Sequence, residues 1–304
     1  MKHWLEAARL RTLPLSVSGI IVGTFFAMSQ SVFNWKIVFF CLTTTLGLQV
    51  LSNFANDYGD GVKGTDNDAR IGPKRAVQSG VISASQMKSA LWITAILTFL
   101  SAVLLIFVSF KDKYMGYSLF FLLLGIGAIA AAIFYTVGKK AYGYHGWGDF
   151  FVFVFFGLVS TLGSYFLFTK SLYPNLLLPA SAIGLLSAGV LNLNNMRDEF
   201  SDRASNKRTL VVKMGGKKAI GYHSFLIIAP MIILLLFAFF EQWAWDQYLF
   251  VVLYLPLIKH LLRVYKAQKP EDFDPELKKL ALSTFGLSLL LGACMIYLIS
   301  DLIV

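Results

Sequence analysis

The chain has 304 residues, 57% of them hydrophobic and 14% charged, with a mean hydropathy of +0.65. A soluble domain is about 45–50% apolar and about 25% charged, so the composition excludes a soluble enzyme, a disordered protein and a repeat solenoid. The net charge of +10 would suggest nucleic acid in a soluble protein, but in a chain this apolar it is read first as membrane topology.

The N-terminal segment mixes acid and base, and the apolar run after it has no small-residue cleavage site. A span retained in the mature chain is expected there, not a signal peptide. Nine apolar runs follow, each near the roughly 20 residues that cross a bilayer as a helix. They cover about 12–30, 35–57, 86–109, 115–136, 149–169, 174–196, 219–240, 246–262 and 280–300. Gly59, Gly61 and Gly64 punctuate the second boundary, Gly143, Gly146 and Gly148 the fourth, and Pro270 and Pro275 the last. Gly125, Gly127, Gly184 and Gly189 lie inside spans, where small residues are expected to let helices approach. No strand-length alternation runs through these segments, which excludes a transmembrane barrel. Cys41 and Cys294 sit in apolar runs with no metal-binding spacing and read as small core residues.

Charge is distributed unevenly between the two sides. Only Lys36, Lys111, Lys113 and Lys170 of the 27 Lys and Arg residues fall between spans on the side away from the N-terminus. The excess of positive charge marks the other side as cytoplasmic, so the N-terminus is expected inside and the C-terminus outside. The long polar loops share that inner side, which places the work of the protein there. Nucleic acid needs no further place in the reading.

The acids cluster on the same side: Asp57, Asp60, Asp66 and Asp68 after the second span, Asp149 at the fifth, and Asp198, Glu199 and Asp202 after the sixth. Carboxylates at the mouth of a membrane bundle are costly and need compensation. Two clusters share a grammar, Asn53-Phe-Ala-Asn56-Asp57-Tyr-Gly-Asp60 and Asn194-Asn195-Met-Arg197-Asp198-Glu-Phe-Ser-Asp202, the second reaching Asn206. Spacings of three and four stack side chains on one helix face, so each helix is expected to end in a row of carboxylate and amide oxygens. Like charges so placed repel unless a cation lies between the rows. Hard oxygen donors without His or Cys favour Mg²⁺, which binds through one or two carboxylates and substrate phosphate oxygens. Lys63, Lys74, Arg75, Lys139, Lys140, Arg203, Lys207 and Arg208 in the same loops complement a diphosphate. The four His residues read as incidental, and Glu271, Asp272, Asp274 and Glu276 as a solvated surface.

These strings resemble the UbiA superfamily of intramembrane aromatic prenyltransferases, and within it the 1,4-dihydroxy-2-naphthoate polyprenyltransferase branch. The resemblance rests on SNFANDYGDGVKGTDN (52–67), RIGPKRAVQSG (70–80), YTVGKKAYGYHGWGD (135–149) and NNMRDEFSDRASNKRTLVVKMG (194–215). It implies one transmembrane domain over 1–304, an all-α fold with nine helices around a central cavity, and a cell-membrane location with the site facing the cytoplasm. Asp57, Asp60, Asp198 and Asp202 become the implied Mg²⁺ ligands, with Asp149 and Lys63 as further catalytic residues. Asn53, Asn56, Asp66, Arg75, Tyr135, Lys140, Tyr142, Asn194, Asn195, Arg203 and Lys207 are the implied substrate-binding residues. Where the superfamily pattern has a third acid this chain has Gly64, with Asp66 two residues later.

The reaction implied is prenyl transfer from a polyprenyl diphosphate to 1,4-dihydroxy-2-naphthoate, with loss of diphosphate and CO₂, giving the demethylmenaquinol of menaquinone synthesis. No single residue stands out as a ring base, and Asp149 and Tyr142 are taken as candidates. The alternatives are another acceptor, such as 4-hydroxybenzoate or homogentisate, and a transporter. A transporter would explain the spans and the acids, but not their gathering at one face.

Overall fold

The computed structural model describes residues 1–66, 71–111 and 113–300, with side chains described through Ile296. Asp68 and Arg70 lie outside the described residues. Within them the chain is all-helical, with nine helices long and apolar enough to cross a membrane: α1 Lys2–Ser29, α2 Trp35–Lys63, α3 Ala84–Phe110, α4 Met115–Phe134, α5 Gly148–Thr169, α6 Pro174–Arg197, α7 Gly216–Phe240, α8 Trp245–Lys266 and α9 Pro270–Ile296. Each matches an expected run, and the differences lie at the ends. α2 continues to Lys63, so the first acid motif is helical throughout. α9 begins ten residues earlier than its apolar run.

Local chemistry sets several of these boundaries. The Asn34 side chain accepts from the Lys36 amide at 3.0 Å and caps α2. Gly64 ends α2 at φ 70°, the left-handed conformation that glycine adopts without strain. Ser83 and Gln86 form a reciprocal capping box at the start of α3. α1 is broken at Arg9, whose φ of 51° is left-handed, and a tight turn over Leu10–Thr12 leads into its second half.

Burial follows the logic of a lipid solvent. Large apolar side chains such as Trp92, Ile96, Phe120 and Leu123 face outward. Many buried hydroxyls donate to carbonyls of their own helix, as in Ser18 to Pro14, Ser187 to Ile183 and Thr284 to Leu280. Without water at that depth, each polar group must be satisfied internally. Cys41 and Cys294 are buried free thiols.

α1 packs on α9 and α5, α6 on α5, α7 and α9, and α2 on α3 and α4. α5 carries a π-helical stretch, Phe153–Val159. Within it Gly157 meets Gly184 of α6 so closely that an added Cβ would lie 2.5 Å from the Ala180 oxygen. Gly184 thus serves close approach as expected. Gly127 does not, because a Cβ there would meet nothing within 4 Å. α1 to α6 and α9 enclose a central cavity of about 380 Å³.

The last three helices correct two sequence readings. Glu276 is 2% exposed, and its carboxylate holds the His260 Nδ1 at 2.8 Å. His260 in turn lies 2.9 Å from His223 through their Nε2 atoms. These residues are neither a solvated surface nor scattered. They join α7, α8 and α9 in the interior.

Candidate active site

The cavity has a polar mouth and an apolar body, lined deeper in by side chains such as Leu105, Phe121, Leu124 and Phe155. The mouth gathers the ends of α2, α4 and α6 with the starts of α1, α5 and α9. Asn53, Asn56 and Asp60 lie along one face of α2 and line it, as spacings of three and four require.

Asp57 does not line it. One residue on from Asn56 turns the side chain by about 100°, and both oxygens enter the loop before α3, accepting from the Ala76 and Val77 amides at 3.1 and 3.0 Å. The residue expected as a metal ligand anchors this loop to α2.

Asp60 stands at the centre of the mouth. Its Oδ1 accepts from the Tyr144 hydroxyl at 2.7 Å, and its Oδ2 lies 3.5 Å from Lys207 Nζ. Lys207 is also 3.4 Å from Asp202 Oδ1, so one ammonium lies between the two acid motifs. Burial opposes its charge, yet Asp60 and Asp202 hold its pKa above the ordinary lysine range. Tyr144 also shares a 2.6 Å hydrogen bond with Thr65, and Lys63 sits 4.0 Å over its ring. Burial, then the charge of Asp60, raises the Tyr144 phenol and keeps it a donor.

The second motif departs from the expected helical row. α6 ends at Arg197, Asp198 takes φ −96° and ψ 8°, and a short helix Glu199–Ala204 follows. The Asp202 amide still donates to the Asp198 carbonyl at 2.8 Å, which keeps the two acids one turn apart. Asn206 has φ 56° and leaves the row. The turn brings the Lys207 amide onto the Asp202 carbonyl at 2.8 Å and returns its side chain to the acids. Asp198 receives two 2.8 Å hydrogen bonds from the fully buried Arg197, which also binds Asn194 at 2.9 Å and pairs with Asp274 of α9. Asp274 is therefore part of this structure and not a solvated loop acid.

The remaining expected residues divide. Asn194, Tyr135, Tyr142, Asp66 and Arg75 line the cavity, with Arg75 Nε 3.7 Å from Asp66 Oδ2. Tyr142 also donates to the Ala131 carbonyl at 2.8 Å. Lys63 donates to the Thr136 carbonyl at 2.6 Å and is not in the wall. Arg203 pairs with Glu199 at 2.8 Å on an exposed face, and Lys140 is exposed. Asn195 and Asp149 are buried outside the wall, and Asp149 faces Tyr222 of α7.

Tyr144 and Arg197 were missed because an aromatic residue in a loop and one base among many carry no periodic signal. Arg9, Arg11 and Thr12, which also line the cavity, were missed for the same reason, whereas Gln49, four residues before Asn53, continues the spacing of that row and could have been found from it.

The donor set suits a hard cation. Asp202 Oδ2 is buried without a hydrogen-bond partner among the described residues, and burial raises the Asp202 pKa to about 6, with Lys207 opposing the rise and Asp198 and Asp60 adding to it. Among the described residues no three acidic, His or Cys side chains converge on one point. Mg²⁺ needs only one or two carboxylates when phosphate oxygens complete its shell, and Asp60, Asp198 and Asp202 are the residues here that could supply them.

Known proteins agree with the fold and the chemistry. A Haemophilus influenzae 1,4-dihydroxy-2-naphthoate octaprenyltransferase is 42% identical over 301 residues, covering 96% of this chain and 97% of its own. The Escherichia coli protein of that name is 44% identical over 281 residues, covering 91% and 89%. A UbiA homologue from Archaeoglobus fulgidus, bound to GPP and Mg²⁺, superposes with a TM-score of 0.67 at 15% identity, covering 98% of this chain and 99% of that one. The UbiA prenyltransferase family matches residues 16–285, a stretch that holds both acid motifs, α2 to α8 and parts of α1 and α9: the chain belongs to this family.

Proposed function

We propose that this protein transfers a polyprenyl group from polyprenyl diphosphate to 1,4-dihydroxy-2-naphthoate, releasing diphosphate and CO₂ and forming demethylmenaquinol. One transmembrane domain spanning 1–304 carries the reaction, at the cytoplasmic side of the cell membrane. The observation that carries the reading is the junction of an apolar cavity with a mouth where Lys207 lies 3.5 Å from Asp60 and 3.4 Å from Asp202, in a chain similar over nearly its full length to naphthoate octaprenyltransferases.

Asp60, Asp198 and Asp202 would hold Mg²⁺, which when bound supplies Lewis-acid polarisation of the diphosphate. Lys207 and Arg75 at the mouth neutralise the negative charge that collects on the departing group. The apolar walls exclude water from the allylic cation and leave the ring as the available nucleophile. Attack at the carboxyl-bearing carbon lets CO₂ depart and restores aromaticity without removal of a ring proton. The placement of the two candidate bases fits this route: Asp149 lies outside the cavity wall, and Tyr142 donates to the Ala131 carbonyl.

The test is purified protein in detergent with octaprenyl diphosphate, Mg²⁺ and carboxyl-labelled dihydroxynaphthoate. Release of the label as CO₂ in step with prenylated product is expected. Label retained in the product would overturn decarboxylative transfer, and a preference for 4-hydroxybenzoate would overturn the acceptor.

A further inference from the structure

One wall of the cavity mouth is held in a fixed hydrogen-bonding sense, apart from the acids that gather around Lys207. Its logic begins at the break in α1. Left-handed Arg9 turns the chain so that the Thr12 hydroxyl donates to the Arg9 carbonyl at 2.9 Å. Having spent its only proton, the Thr12 oxygen can only accept from its other neighbours. It accepts from Gln49 Nε2 at 3.1 Å and from Asn53 Nδ2 at 3.4 Å. The Asn53 amide is oriented independently, because its Nδ2 also donates to the Ala8 carbonyl at 2.9 Å. Its Oδ1 therefore turns toward Gln49 and lies 3.4 Å from the same Nε2.

Two acceptors thus fix which end of the Gln49 amide is the nitrogen. The other end, Oε1, is buried and has no hydrogen-bond donor among the described residues, on a side chain 9% exposed. A buried carbonyl oxygen without a donor is costly, and Gln49 is part of the cavity wall. The missing donor is a cavity water or, once that water is displaced, a polar group of whatever occupies the cavity. A diphosphate has no proton to give at neutral pH, and a prenyl chain has no donor at all. A phenolic hydroxyl has one.

We infer that Gln49 accepts a hydrogen bond from a ring hydroxyl of the aromatic acceptor, with Thr12 and Asn53 holding its amide in the accepting orientation. The inference rests on the acceptor reading above and deepens it by naming a residue that selects for a hydroxylated ring. Arg9 and Arg11 line the same side of the mouth and present positive charge to the ring carboxylate. The acceptor subsite lies against α1 and the middle of α2, about two to three helical turns from Asp60.

Equilibrium binding to the purified protein without Mg²⁺ or prenyl diphosphate tests this, comparing dihydroxynaphthoate with the two monohydroxy naphthoates that each lack one hydroxyl. The wild type is expected to prefer the diol to one of the two by about tenfold or more, because an unpaired buried acceptor is left with that analogue. In Gln49→Leu that preference is expected to vanish, through weaker diol binding and not through tighter analogue binding. Binding of octaprenyl diphosphate with Mg²⁺ reports that the variant is folded. Should Gln49→Leu lose that as well, Gln49→Met, which keeps the side-chain length without the oxygen, decides on the same ratio. A preference retained in the folded variant overturns the Gln49 assignment alone. A wild type that binds none of the three naphthoates overturns the acceptor reading itself.

Discussion

At the scale of single residues, two neighbouring acids of one motif separate into different roles. Asp60 faces Lys207 and Tyr144, while Asp57 holds two loop amides. Asp57→Asn weakens two charge-assisted hydrogen bonds and is expected to lower stability by about 1–3 kcal/mol, visible as a lower melting temperature in detergent. Asp60→Asn leaves Lys207 its second partner Asp202, so it is expected to stay folded, melting no lower than Asp57→Asn, and to lose nearly all transfer across Mg²⁺ concentrations, since it removes a charge proposed to hold the metal. Equal activity losses with unchanged melting in both variants would contradict the assignment. Tyr144→Phe keeps the ring beneath Lys63 but removes the donor that aims the Asp60 carboxylate. It is expected to raise KM for the prenyl diphosphate about tenfold and to leave KM for the aromatic acceptor in place. Steady-state kinetics with each substrate varied in turn would check it.

At the scale of elements, helix contacts depend on which glycine faces a neighbour. Gly157→Ala would place its Cβ 2.5 Å from the Ala180 oxygen and from the Gly184 Cα. Both are backbone atoms that cannot rotate away, so α5 and α6 must separate, at a cost of about 1–3 kcal/mol. Gly127→Ala meets open space and removes a helix-weakening glycine. It is expected to be neutral or to stabilise by up to about 1 kcal/mol. Thermal unfolding of the two variants in one detergent compares them directly, and a larger loss for Gly127→Ala would refute the packing argument. α6 and α9 are joined by Arg197, whose partners lie on both helices. Arg197→Lys keeps the charge but cannot reproduce the two-pronged contact with Asp198. It is expected to destabilise the metal-free protein and to shift the Mg²⁺ dependence of transfer to higher concentration, as a titration of activity would show.

For the whole molecule, the site lies at one end of the bundle, and the orientation proposed from the charge asymmetry puts that end in the cytoplasm. A reporter active only in the cytoplasm is expected to work when fused after Asp202 and to fail when fused after Lys170, which lies between α5 and α6 at the opposite end. The reverse pair of results would overturn the orientation and place the diphosphate chemistry outside. Opposite requirements meet in this arrangement: charged groups must sit near water, while the prenyl chain needs an apolar space that water does not enter. A cavity polar at its mouth and apolar within satisfies both.

The nine helices, their order and the gathering of acids at one end were legible in the sequence. Hydropathy sums over about 20 neighbouring residues, and helical spacing places Asn53, Asn56 and Asp60 on one face without knowledge of any other helix. Which of those side chains reaches the cavity was a different matter. Asp57 is turned away by a loop some twenty residues later, the row from Asn194 to Asn206 is broken where Arg197 reaches α9, and Glu276 is buried by His260 on another helix. Each of these outcomes depends on partners far away in the chain, whose positions local pattern does not encode. The same holds for Gln49, whose orientation follows from Thr12 and Asn53 across the contact between α1 and α2. The sequence by itself determined the bundle, its polarity and its chemical vocabulary, because those are properties of continuous segments. The tertiary structure alone decided which oxygens face the cavity, because that is set by the rotation of each helix against its neighbours.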